Sequence, residues 1–84
     1  MDVALDTGGN LYIANQSGNN ILKISAGKNV PVIFAKGLNG PDALYFSAAG
    51  QSWPLFIANG RNGTISMIAS NGTVQAVICL FKDS

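Results

Sequence analysis

The chain has 84 residues, with five basic and four acidic side chains, no histidine and a net charge of +1; 48 % of its positions are hydrophobic and 11 % charged. That balance describes a folded chain rather than a disordered one, and so small a charge supplies no phosphate-binding field, so nucleic acid is not an expected partner. A chain of this length buries only about 60 % of the surface its unfolded state exposes, so its core is marginal until something completes it.

In chain order, short β-type runs are predicted over 3–6, 11–14, 21–25 and 30–35, and then over 43–47, 55–58, 65–69 and 74–79. Their apolar residues alternate or run on for a few positions, as in strands covered on one or both faces, and no helical period competes. Turn formers separate the runs: Gly8-Gly9-Asn10, Ser17-Gly18-Asn19-Asn20 and Gly27-Lys28-Asn29, then Ala49-Gly50, Arg61-Asn62-Gly63 and Asn71-Gly72. These residues accept positive φ and tight reversal. Each half is expected to be a four-stranded antiparallel meander, and the fold all-β.

The halves repeat one another. Leu-Tyr-Ile-Ala-Asn (11–15) recurs as Leu-Phe-Ile-Ala-Asn (55–59), a shift of 44 that also pairs Ile21 with Ile65, Ile24 with Ile68 and Val30 with Val74. Upstream the shift drops to 40, pairing Asp2-Val-Ala-Leu with Asp42-Ala-Leu-Tyr, because the second copy has extra residues around Ser52-Trp53-Pro54. A repeat of this period holding four strands fits a propeller blade.

Three segments carry a more specific likeness: Gly37-Leu38-Asn39-Gly40-Pro41, Asp6-Thr7-Gly8-Gly9-Asn10 before Leu11-Tyr12-Ile13-Ala14-Asn15, and Gly18-Asn19-Asn20-Ile21. They resemble the leader, the turn before an aromatic strand and the hairpin of NHL repeats, over nearly the whole chain. The second copy departs where Phe46 and Ala49 replace an aspartate and a turn glycine, and where Ala58-Asn59-Gly60 lacks an acidic ending. The resemblance implies two propeller blades, residues 1–41 with the interblade linker and residues 42–84. Propellers hold four to eight blades, so two leave two apolar faces bare. At about 25 cal/mol per Å², each bare face forfeits on the order of 10 kcal/mol of burial. NHL propellers usually have six blades, which implies a homo-oligomer of three chains. Seven residues, 36–42, connect the blades, and residues 80–84 running on into 1–2 of another copy also make seven, which suits a head-to-tail ring. A piece of a longer propeller and an open assembly such as a fibre are the alternatives.

Family ligands bind near the channel, and the loops implied there hold Asp2, Asn15, Asn19, Asn39, Asp42, Asn59 and Arg61. Repeated amides donate and accept together, which suits sugar hydroxyls or a peptide backbone, so a glycan or protein ligand is a candidate. The competing reading makes the asparagines turn formers, with Asp2 and Asp42 satisfying neighbouring amides. Trp53 offers a surface to stack on a sugar or anchor a partner, and equally a cover for a blade edge. Tyr12, Phe34, Tyr45, Phe46 and Phe56 are expected to pack.

Catalytic chemistry has little to work with. Only Asp2, Asp6, Asp42 and Asp83 are acidic, glutamate is absent, and without histidine no Ser/His/Asp set is possible. No metal site, cofactor or catalytic residue is expected. Asn39-Gly40 is similar to an asparagine–glycine turn of the six-bladed lactonases, but Pro41-Asp42 departs from their pattern. The lone Cys79 forms no internal disulfide and reads as a small buried hydrophobe. No secretory signal or membrane span is read from the chain, so it is expected to be soluble and without a membrane partner, its compartment left open. Asn15, Asn62 and Asn71 begin Asn-x-Ser/Thr triplets that turn composition alone produces, so glycosylation is left open too. The leading expectation is a non-catalytic binding or scaffold module completed by self-association. The alternatives are a fragment of a metal-dependent lactone or ester hydrolase, and a purely structural unit.

Overall fold

The computed structural model describes residues 2–47 and 53–79. Among them are eight strands and no helix: β1 (Val3–Leu5), β2 (Leu11–Asn15), β3 (Asn20–Ile24), β4 (Val32–Ala35), β5 (Pro41–Phe46), β6 (Leu55–Asn59), β7 (Thr64–Ile68) and β8 (Val74–Cys79). They form two four-stranded antiparallel sheets in sequence order, β1-β2-β3-β4 and β5-β6-β7-β8. The fold is thus all-β, with one meander in each half of the chain. The turn expected at Ala49-Gly50, together with Ser52 and Asp83, lies outside the described residues.

Two strand starts differ from the expectation by two residues, both at prolines, and the other differences are of a single residue. Val30 stays outside β4 because Pro31 offers no N–H to the ladder and restricts the residue before it. Pro41 opens β5, where an edge strand tolerates a missing donor.

Pairing register confirms the internal repeat and corrects one detail. Ile13 faces Leu22 and Leu11 faces Ile24, while Ile57 faces Ser66 and Leu55 faces Ile68, so the shift of 44 holds across both hairpins. In the first strands Val3 faces Ile13 but Leu44 faces Ile57, an offset of 41 rather than 40. The register slips between Pro41 and Ala43, leaving Asp42 as a bulged extra residue, so Ala43 and not Asp42 occupies the ladder position of Asp2.

Alternation then decides what each sheet buries. Tyr12, Ala14, Ile21 and Ala35 face inward from the first sheet, and Leu44, Leu55, Ile57 and Ile68 from the second, joined by Leu38 of the connection. Tyr12 sits edge-on to Phe46 and Trp53 with ring centroids 5.9 and 5.4 Å away, which ties the sheets together at one end. The opposite face of each sheet is also apolar. Val3, Leu5, Leu11, Ile13, Leu22 and Ile24 share one outward face, and Tyr45, Phe56, Ile65, Met67 and Ile78 the other. Tyr45, expected to pack, is 65 % exposed because it points outward from β5. Cys79, expected to be buried, is exposed because it ends the edge strand β8.

At the outer rim the sheets approach through the β7–β8 turn. Gly72 has φ +89°, and a Cβ placed on it would collide with the Phe34 carbonyl oxygen. A cleft of about 480 Å³ lies beside it, lined by Ile33, Phe34, Ala35, Lys36, Gly72 and Val74. Gly27 has a similar φ of +76° but nothing within 4 Å of such a Cβ. Urea unfolding is therefore expected to place Gly27→Ala about 1 kcal/mol below the parent chain and Gly72→Ala at least twice as far, since only the latter adds a clash to the positive-φ cost.

Candidate functional site

Seven of the eight candidate residues gather at one end of the sheets, where β2 and β6 finish and the connection crosses between halves. Asn59 is buried, 2 % exposed, and its amide is fully employed. It donates to Thr64 Oγ1 at 3.1 Å and Ser66 Oγ at 2.9 Å, and its oxygen accepts from the Asn39 N–H at 3.2 Å. Asn15, the counterpart one repeat earlier, donates to Asn20 Oδ1 at 2.9 Å.

Asn19 holds the two halves in position. Its side-chain oxygen accepts from the Gly40 N–H at 2.9 Å and from Arg61 Nη1 at 3.3 Å, and its backbone carbonyl accepts from the Leu38 N–H at 3.0 Å. With φ of 54° it occupies the left-handed region, which asparagine tolerates better than most residues. Its counterpart Gly63 has φ of 70°, so both hairpins turn alike while only the first carries an amide to bind the connection. Gly60 and Arg61 donate their N–H groups to the carbonyls of Gly40 and Asn39, at 2.9 and 3.2 Å. Asp2 belongs to the same end: its carboxylate accepts from the Leu44 N–H at 2.9 Å, and its carbonyl from the Ala14 N–H at 2.9 Å.

These bonds give the side chains of Asn15, Asn19 and Asn59 structural work. The side chains left on the surface at this end belong to Asn39, Asp42 and Arg61, all exposed. The Asp42 carboxylate lies beside Gly60, where a Cβ would meet it at 2.5 Å.

Trp53 is not part of this cluster. It precedes β6 while Asn59 ends it, so roughly 20 Å of extended chain separates them. Its indole packs against Phe46, Tyr12 and Phe34 with centroids 5.1, 5.4 and 5.6 Å away, which places it over the junction of the sheets.

A second polar group, at the aromatic end, was read from sequence only as a turn. Asp6 accepts from the N–H groups of Gly8 and Asn10 at 2.9 and 3.0 Å, from the Asn10 amide at 2.9 Å, and from the Tyr12 hydroxyl at 2.9 Å. Asn10 in turn accepts from the Ala26 N–H at 2.9 Å. Burial opposes ionisation of Asp6, but the hydrogen bonds from Asn10, Tyr12 and Gly8 together outweigh it and hold its pKa below the ordinary 3.8. Burial, then the Asp6 hydrogen bond and charge, push the Tyr12 hydroxyl above its ordinary 10.0. The spacing Asp-x-x-x-Asn-x-Tyr is the signal that points to this group. Thr64 and Ser66, the partners of Asn59, carried no such signal, because they are known only once β6 and β7 are paired.

Among the described residues, no three Cys or Asp side chains gather as a metal-binding group, and no helix is long and apolar enough to cross a membrane. No protein-family model matches the chain, and no curated protein does.

Asn59→Ala is expected to cost about 2–3 kcal/mol in urea unfolding, because it strips partners from the Asn39 N–H and from Ser66, whereas Asn15→Ala at its half-buried site costs under about 1 kcal/mol. Because the folded pKa of Asp6 is depressed, its stabilisation is complete above the ordinary carboxylate pKa and lost as pH falls through the folded value. The melting-temperature gap between the parent chain and Asp6→Asn is expected to be widest near neutral pH and to close as pH falls through the depressed folded pKa.

Proposed function

We propose that this chain is a non-catalytic interaction module, built as two NHL-like propeller blades that self-associate, with three copies closing a six-bladed ring. Its amide-lined end would present Asn39, Asp42 and Arg61, repeated around the ring, to a polar ligand such as a glycan or a protein. One observation carries the reading. Both sheets are apolar on both faces, and neither outward face has a charged residue among Val3, Leu5, Leu11, Ile13, Leu22 and Ile24, or among Tyr45, Phe56, Ile65, Met67 and Ile78. Val3 at 54 % and Leu5 at 50 % exposure on the first sheet, and Tyr45 at 65 % and Ile78 at 46 % on the second, leave apolar side chains bare that a repeat array covers with its neighbours.

The hydrolase-fragment alternative leaned on the Asn39-Gly40 turn. There the Asn39 and Gly40 N–H groups bond to Asn59 and Asn19, so the turn has a structural purpose without a metal.

Light scattering on a sizing column tests the assembly. The 84-residue chain is expected to elute as a sharp species of three chains whose mass holds on dilution. A single-chain mass at every concentration would overturn the reading.

A further inference from the structure

The internal repeat and the two-sheet joint together say how one copy meets the next. The joint inside the chain is made by two different faces. The first sheet contributes Tyr12, Ala14 and Ile21; the second contributes Leu55, Ile57 and Ile68. Moving each set by the repeat of 44 lands on the two outward faces. Tyr12, Ala14 and Ile21 become Phe56, Ala58 and Ile65, on the open face of the second sheet. Leu55, Ile57 and Ile68 become Leu11, Ile13 and Ile24, on the open face of the first. Five of these six pairs are identical residues, and the sixth exchanges tyrosine for phenylalanine.

Exposure marks the difference between used and unused copies of each position. Ile21 and Ile57 are wholly buried in the joint, whereas their counterparts Ile65 and Ile13 are only half-buried. The edge donors are where the two copies differ, because Ala43 rather than a carboxylate occupies the ladder position of Asp2. The Leu44 N–H is turned away from β6 and caught by the Asp2 carboxylate, and its ladder counterpart is the Val3 N–H at the matching edge of β1.

We infer that a second copy of this chain docks head to tail, the Phe56–Ala58–Ile65 face of one copy packing on the Leu11–Ile13–Ile24 face of the next and reproducing the internal joint. The contact is heterologous: the two surfaces differ, each copy offers one of each, and like faces do not pair. This inference rests on the self-association proposed above, and it adds which face meets which.

Two variants of the whole chain read it out, Ile13→Asp on the first sheet's open face and Ile65→Asp on the second's. Each alone is expected to lose self-association and scatter as a single chain. Mixed in equal amounts, they are expected to form a dimer that goes no further, because the mixture holds one intact pair of faces. If either variant still self-associates, like faces pair and the inference is overturned. If the mixture stays monomeric although both variants keep the strand signal in circular dichroism, the head-to-tail joint is overturned as well. Leu11→Asp and Ala58→Asp repeat the mixing at independent positions, so a misfolded variant is not mistaken for a missing joint. A parent chain that is itself monomeric at every concentration sinks the broader reading, and is distinguished from a parent that assembles through other faces.

Discussion

Packing of Tyr12, Ala14 and Ile21 against Leu55, Ile57 and Ile68 is the contact on which the rest of the molecule depends. Neither sheet has a polar face to turn toward water, so each gains from burial on whichever side it is covered. The contact within the chain covers one side of each. Everything else, from the aromatic brace of Tyr12, Phe46 and Trp53 to the amides of the connection, sets the angle at which those two faces meet.

The polar groups divide between the two ends of the sheets. At one end the side chains of Asn19 and Asn59 replace backbone partners that the connecting segment lacks, and Asp2 satisfies an edge N–H of the neighbouring sheet. At the other end Asp6 gathers two N–H groups, an amide and a phenol, fixing the turn that delivers Tyr12 to the joint. Buried polar atoms with partners rigidify an element, whereas the same atoms without partners would weaken it. Among the described residues, no buried side-chain nitrogen or oxygen lacks a partner.

Strand content and the two meanders were legible in the sequence because glycine and asparagine turns bracket short apolar runs, and a repeated segment such as 11–15 and 55–59 doubles the signal. The face assignment was less legible. Where both faces are apolar, alternation does not say which side is covered, so Tyr45 looked like a packing residue and lies on the outside. Cys79 misled for a related reason, since its hydrophobic run belongs to an edge strand. At the candidate site, the clustering of Asn15, Asn19, Asn39 and Asn59 was an expectation taken from the likeness to NHL repeats rather than from spacing. That the amides of Asn15, Asn19 and Asn59 serve the protein's own backbone and side chains depended on pairings that no local pattern encodes.

The bulge at Asp42 bears on how such a repeat tolerates change in length. A strand shifted by one residue turns every side chain to the opposite face, so an odd insertion into a ladder would exchange the two surfaces of a sheet. Between the two halves the hairpin strands keep an offset of 44 while the first strands keep 41, and the three extra residues fall in the β5–β6 connection. The remaining single-residue difference is taken up by the bulge, which restores parity before the ladder continues. Duplicated units of this kind can therefore drift in length at their turns and at their first strand while each face keeps its handedness toward the neighbour.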